Sequence, residues 1–531
     1  MAEVPAGQTS PPATTFSPPT FAARFALTAE RRKLLRADLL VFLVTVLVYW
    51  GLGPKTTAYD YQLSQANNIL HGHLDMSDEY TRNLGVLERV LYDPAVGFCL
   101  PLNDPRAPGS IEDNPGVPMT AGCKNYMQHS LGPALLLLPF AFVFGLDVNQ
   151  TLLSALVGGL TALLAFAIIR HFTADRKAQI ALTALAIFGT NYWFAAADGG
   201  VWYFALTTSV FFLFAAIYAT VVRRNPLLAG AMVGAAFMCR PTTILAGVFT
   251  LVAFADQWYV NDPKLPLWRR LNILPLVKLA VGVAPFIALA GLLNYLRFNN
   301  PVESGYTYSE EFHQLSLAAY WRFGIADPRY IPDHVLVFFE RMPHFSASGP
   351  YAWPSWWGLA TWITTPPILY AAFVHLKRLR PVVVFGVTGL ALACGYMLLR
   401  AIQQGLGHDE WGDDIIATGI HLVPFWILIA GAIVAALYAR DRLVVAAWAG
   451  IVAIALLDFT FAATGWAQFG YRYALDFMPF LILLVVLAVG KQVRWHHGVM
   501  IGLAILVNLW GVLWIFQFTP LKLFGWTWVG Y

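Results

Sequence analysis

Charge is what this 531-residue chain has least of. Only 12% of its residues are charged, against 58% hydrophobic, where soluble domains carry about 25% charged and about 45–50% apolar residues. Too few polar groups remain to cover a water-exposed globule. Disorder, a collagen-like repeat and a cytosolic nucleic-acid binder are excluded. Cysteine is scarce as well, and four residues do not make a disulfide-stapled mini-protein. Cys239 and Cys394 lie in apolar segments, where a packing thiol is the default. Cys99 and Cys123 share one long loop and can pair if it faces an oxidising compartment. No His-Glu-x-x-His and no cysteine pair of zinc spacing occurs. His71-Gly72-His73 with Asp75 is a weak substitute, since histidines two apart do not share a helix face. The first apolar run, 39–53, lacks a small-residue cleavage site and is read as an uncleaved helix.

What the chain does have is long apolar runs, from 38–53 to 498–517. About 20 such residues cross about 30 Å of hydrocarbon, so the sequence describes an all-α polytopic membrane protein. Runs near 38–53, 149–170, 178–197, 200–222, 273–297, 355–376, 381–400, 419–438, 443–464, 472–490 and 498–517 read as spans. The 227–258 stretch, interrupted by Arg240-Pro241, reads as two short ones. The run 131–146 is short, contains Pro133 and Pro139, and is taken as an interfacial helix.

Basic residues mark cytoplasmic loops, and this assignment gathers Arg170, Arg176 and Lys177, Arg223 and Arg224, Arg269 and Arg270, Arg440 and Arg442, and Lys491 and Arg494 on one side. Counting 131–146 as a span would put these clusters outside. The expectation is therefore about 13 transmembrane helices, N-terminus cytoplasmic and C-terminus extracytoplasmic. A disordered tail fills 1–37 and a membrane core 38–297. Within that core lie a first outer loop, 54–130, and the juxtamembrane helix 131–146. A second outer loop spans 298–354, and further transmembrane helices occupy 355–531. Most acidic residues fall on the outer side.

Candidate chemistry sits there too. Asp60, between Tyr59 and Tyr61 just past the first span, is partly shielded and suits a general base, or else an N-cap for the helix that follows. Asp198 precedes Gly199-Gly200 at an outer turn leading to Trp202. Trp193, Trp202, Trp353, Trp356 and Trp357 read as an aromatic belt, with a sugar platform as the other reading. Arg240, between two segments too short to cross comfortably, reads as a sunk guanidinium facing a cavity or an anion, or else as an arginine snorkelling at a helix turn. Arg472 lies within Gly470-Tyr471-Arg472-Tyr473, with Asp476 one turn on as an ion-pair partner. Asn294 to Pro301 leads a helix exit into Glu303 and Tyr306.

Four stretches resemble the GT-C superfamily of membrane glycosyltransferases, in its bacterial branch related to protein-mannosyl and aminoarabinose transferases. They are Tyr59-Asp60-Tyr61 through Asp75; Gly132-Pro133 through Pro139-Phe140; 230–241, ending in Arg240-Pro241; and Gly470-Tyr471-Arg472-Tyr473 through Pro479-Phe480. One departure is that Tyr126-Met127-Gln128-His129-Ser130-Leu131 stands where relatives carry a Lys-Tyr-Pro-Pro motif, leaving Lys124 a few residues early. The resemblance implies a polyprenyl-phosphate sugar donor, an envelope lipid, glycan or protein acceptor, a bilayer, and location in the bacterial inner membrane. It implies Asp60 as base, Arg240 and Arg472 on the donor phosphate, and inversion at the anomeric centre. Tyr59, Tyr61, Asp198, Trp202, Glu303, Tyr306, Tyr471 and Tyr473 are the candidate substrate contacts. No metal ligands are assigned, and since the superfamily includes both metal-dependent and metal-independent enzymes, a divalent ion stays open. A lipid-linked-saccharide flippase is the main rival, but such transporters place binding residues near the midplane and often carry internal repeats.

Overall fold

The computed structural model describes residues 29–57, 59–82, 89–93, 95, 97–98, 122–260, 262, 264, 266–309, 321–345, 351–355, 357–374, 441–465 and 467–518. The expected spans at 381–400 and 419–438, together with Cys99, Cys394 and Trp356, lie outside these residues. Cys123 is a half-cystine.

The helices follow the apolar runs. In chain order they are α1 (Ala29–Leu52), α2 (Tyr61–Leu70), α3 (Gly132–Phe144), α4 (Gln150–Phe172), α5 (Arg176–Phe188), α6 (Tyr192–Asp198), α7 (Val201–Ile217) and α8 (Pro226–Cys239). Then come α9 (Ala246–Ala253), α10 (Leu274–Phe298), α11 (Ile331–Phe339), α12 (Arg442–Asp458), α13 (Met478–Val489) and α14 (Trp495–Leu513). Asn149, Asp175, Asn225 and Asp441 cap α4, α5, α8 and α12 by accepting from free amides of the first turn. Among the described residues five helices are long and apolar enough to cross a bilayer, and a sixth if α5 and α6, bent by 58°, form one span.

Burial sorts these helices. Leu39, Leu40, Leu43 and Leu47 of α1 are exposed, as a lipid-facing helix requires. Nearly every residue of α13 is buried, and a helix apolar on all sides belongs at a centre. Where α8 crosses α10, Gly230 and Gly282 face the opposing backbone, and a Cβ on either would overlap the carbonyl of Leu279 or Leu227. Small residues at such crossings let backbones approach, which supplies packing where lipid gives no hydrophobic drive.

Three segments are shaped by proline or length. Pro241 has no N–H and disfavours helix at the residue before it, so Arg240 is extended and α8 stops there. A 3₁₀ stretch, Pro241–Leu245, leads into α9, and at about 21 and 12 Å neither limb alone reaches across a bilayer. Pro366-Pro367 has a similar effect at 355–376: in place of the expected span there is one helical turn, Thr361–Thr364, followed by the 3₁₀ stretch Pro366–Phe373. Helix α3 is about 20 Å long. Ala134, Leu137 and Ala141 pack on Leu63 and Ala66 of α2, while Phe142, Val143 and Phe144 stay exposed.

The segments read as outer loops are not purely helical, which modifies the all-α reading. Strands β1 (Arg89–Asp93), β2 (Gly97–Phe98) and β3 (Lys124–Met127) form an antiparallel sheet in the order β2-β1-β3, and β4 (His344–Phe345) pairs with β5 (Ala352–Trp353). Polar contacts gather in two separate sets. Arg170 pairs with Asp38 at 2.9 Å, Thr173 donates to the Lys491 carbonyl, and Asp256 meets both Arg224 and Arg442. All of these belong to loops or helix ends read as inner. At the other end Val90 bridges to Ser309, Arg297 donates to the Met127 carbonyl, and the Asp327 amide donates to Thr460.

Candidate functional site

A cavity of about 830 Å³ lies where segments read as outer converge. Its wall takes Tyr59 and Tyr61 from the first outer loop and the start of α2, and Trp202 from the start of α7. Arg240 comes from the proline break, Glu303 and Tyr306 from the second outer loop, and Arg472 and Tyr473 from the turn before α13. Residues up to about 400 apart in sequence thus share one chamber with aromatic and apolar surfaces and two guanidinium groups.

The arginines differ in their partners. Nε and Nη2 of Arg240 both reach the Asp476 carboxylate at 2.7 Å, and Thr242 adds a longer bond at 3.4 Å. The sequence pairs Asp476 with Arg472; the fold gives it to Arg240 instead, because the 3₁₀ turn Arg472–Asp476 carries the carboxylate toward the α8 break. Among the described residues no carboxylate forms an ion pair with Arg472. The Tyr473 ring lies between the two cations, 5.3 Å from each guanidinium carbon, within range of a cation–π attraction.

Asp60 lies just outside that wall. It occupies the position before α2, yet its side chain makes no capping bond. One oxygen is 3.3 Å from Arg82, whose other nitrogen binds the Leu146 carbonyl. The other oxygen is buried with no hydrogen-bond partner among the described residues. Burial raises the Asp60 carboxyl above its ordinary range, with the Arg82 charge acting against it. Its neighbours Tyr59 and Tyr61 reach the wall, and Tyr59 packs on Trp202 with ring centres 5.2 Å apart.

Three other expected positions are used structurally. Asp198 accepts from the Gly200 amide at 2.7 Å and closes the turn between α6 and α7. Tyr471 is fully buried behind the wall, with its hydroxyl 2.7 Å from His334 Nδ1. Glu303 lines the cavity but holds its own loop, accepting from the Gly305 amide and the Thr307 hydroxyl. Trp193 leaves the expected belt altogether: it is buried against Tyr49 and Phe188.

The first-loop polar cluster stays apart from the chamber. Lys124 is 3.5 Å from Asp75, and His71 stacks on Tyr80. Among the described residues no three His, Cys, Asp or Glu side chains converge to seat a metal ion.

The residue that sequence reading passed over is Asp458. It ends α12 on the cavity wall, 2% exposed. A lone carboxylate inside an apolar run was the available signal, since such residues are costly in a span and mark function. Phe461 and Trp321, also on the wall, carried no comparable signal.

No family model matches the chain, and no curated protein matches it. Among solved structures the chain is similar to the crystal structure of ArnT from Cupriavidus metallidurans bound to undecaprenyl phosphate. The match covers 86% of this chain and 78% of that one at 15% sequence identity, with a TM-score of 0.33.

Proposed function

We propose that this protein is a GT-C-type membrane glycosyltransferase that moves a sugar from a polyprenyl-phosphate donor to an envelope acceptor on the extracytoplasmic face. The observation that carries the reading is the cavity wall itself: Arg472, without an ion-pair partner among the described residues, stands beside Arg240 in an aromatic and apolar chamber at one end of a hydrophobic bundle. A polyprenyl phosphate presents its anion at that level and leaves its tail in lipid. Arg472 takes the phosphate oxygens, and Arg240, charge-balanced and held rigid by Asp476, offers the donors that pair leaves over.

The acceptor hydroxyl oxygen attacks the anomeric carbon as the bond to phosphate breaks, which inverts that centre. The electron pair leaves with the phosphate, where preoriented guanidinium donors stabilise the developing charge. The hydroxyl proton goes to a carboxylate. Asp60 is the base we assign, reached from the Tyr59–Tyr61 side of the wall, and its raised carboxyl suits that task.

The test uses membranes holding the wild-type protein or Asp60→Asn, each given a panel of radiolabelled polyprenyl-phosphate sugars with native envelope material. Wild type moves label from one donor into the envelope fraction, and Asp60→Asn lowers that rate by about 10²-fold or more at equal protein abundance. Unchanged transfer by the variant removes Asp60 as base. No transfer from any donor overturns the reading in favour of a lipid-linked-saccharide flippase, which a flipping assay then measures.

A further inference from the structure

The Arg240 guanidinium spends its Nε and Nη2 on Asp476, yet a second buried carboxylate, Asp458, stands on the same wall. Its Oδ2 meets no hydrogen-bond partner among the described residues, and the residue is 2% exposed. A buried acceptor left unsatisfied is costly, and buried polar groups without partners call for a specific explanation.

The surroundings suggest one. A turn beyond Asp458, the Phe461 ring is met edge-on by Tyr306, Trp321 and Tyr473, with ring centres 6.0–6.1 Å away. All four rings line the cavity. Aromatic faces beside a carboxylate with a vacant lone pair match the chemistry of a sugar ring, which presents C–H patches to stack and hydroxyls to donate. Two elements hold the cup together: Phe461 bridges to Ala326, and the Ala462 amide donates to Ile325.

We propose that Asp458 and the cup of Tyr306, Trp321, Phe461 and Tyr473 form the sugar subsite of the cavity. There Asp458 accepts a hydrogen bond from a sugar hydroxyl while the ring lies against the aromatic faces. This deepens the glycosyltransferase reading and rests on it. It divides the chamber by chemistry, with Arg472 recognising phosphate and Asp458 recognising sugar.

Two probes separate these roles in the full-length protein: undecaprenyl phosphate alone, and undecaprenyl-phosphate-linked hexose and pentose. Affinities are measured for wild type, Asp458→Asn, Asp458→Leu, Trp321→Leu and Arg472→Gln, each checked for a native thermal transition. The Asp458 variants weaken binding of the preferred sugar-bearing lipid by about 10-fold or more and leave undecaprenyl phosphate within about 2-fold. Trp321→Leu, in the loop rather than the bundle, acts in the same direction, and Arg472→Gln weakens both probes. Unchanged sugar-lipid affinity in the Asp458 variants, or equal loss for both probes, overturns the subsite. Wild type that binds neither probe overturns the glycosyltransferase reading itself, a result distinct from failure of the subsite alone.

Discussion

Two arginines on one wall illustrate how identical side chains take different burdens. Arg240 neutralises Asp476, which is fully buried, so removing the guanidinium strands a charge where water cannot reach it. Arg472 has no such dependant among the described residues. Arg240→Met is therefore expected to cost about 3–5 kcal/mol of stability, and Arg240→Met combined with Asp476→Asn to recover much of it. Arg472→Met is expected to leave the thermal transition near that of wild type while abolishing donor binding. Thermal unfolding in detergent, read beside a donor-binding assay, checks the contrast. An equal loss of stability in both single variants would show that Arg472 also holds the fold. Asp60 shows the same dependence on context: the residue type suggests a cap, while its burial and Arg82 make it something else.

At the scale of elements, α11 joins the 298–354 loop to the bundle by the packing of Val335, Val337 and Phe338 and by the hydrogen bonds of His334. His334 Nε2 lies 2.6 Å from the Phe461 carbonyl, which can only accept, so Nε2 carries the proton and Nδ1 accepts from the Tyr471 hydroxyl. The imidazole must be neutral for this arrangement, and burial depresses its pKa to about 4. The unfolded chain binds a proton near pH 6.5 and the folded chain does not, so stability falls as pH falls. The loss begins near pH 6.5 and grows by about 1.4 kcal/mol per unit until about pH 4. Thermal midpoints measured across that range should decline in wild type more steeply than in His334→Gln, whose neutral amide does not titrate. Parallel slopes would assign the acid sensitivity elsewhere. Because Phe461 and Tyr471 flank the cavity, releasing α11 would also loosen the chamber.

The whole molecule is organised by sides. Contacts among Asp38, Arg170, Arg224, Asp256, Arg442 and Lys491 gather one set of helix ends, and the cavity collects the other. Val302, highly exposed and lining the cavity, and Arg176, at the start of α5, are therefore expected on opposite faces of the membrane. Single cysteines placed there by Val302→Cys and Arg176→Cys should differ in intact cells: an impermeant maleimide should label the first and reach the second only after lysis. The reverse pattern would invert the orientation inferred from the basic loops. A site at one end of the bundle has ready access to a lipid headgroup, whereas a midplane site would suit a transporter.

The sequence by itself determined the membrane class, because scarce charge and long apolar runs leave no soluble alternative. It also determined the break at Arg240-Pro241, because proline's missing N–H and its clash with the preceding residue act locally. The two-proline segment at 366–367 carried the same local signal, but the length and hydropathy of 355–376 suggested a span, and only the structure shows a 3₁₀ turn there. Partnerships lay beyond such local rules. Arg240 and Asp476 are 236 positions apart, and Asp476 lies nearer Arg472 in sequence, so proximity along the chain pointed to the wrong cation. The isolated carboxylate of Asp458 was visible as an oddity within an apolar run, but its vacant oxygen and the ring of aromatics beside it exist only where α12, the second outer loop and the turn before α13 pack together. Helix periodicity is set within a few residues, whereas the chemistry of a cavity is set by which helix ends meet.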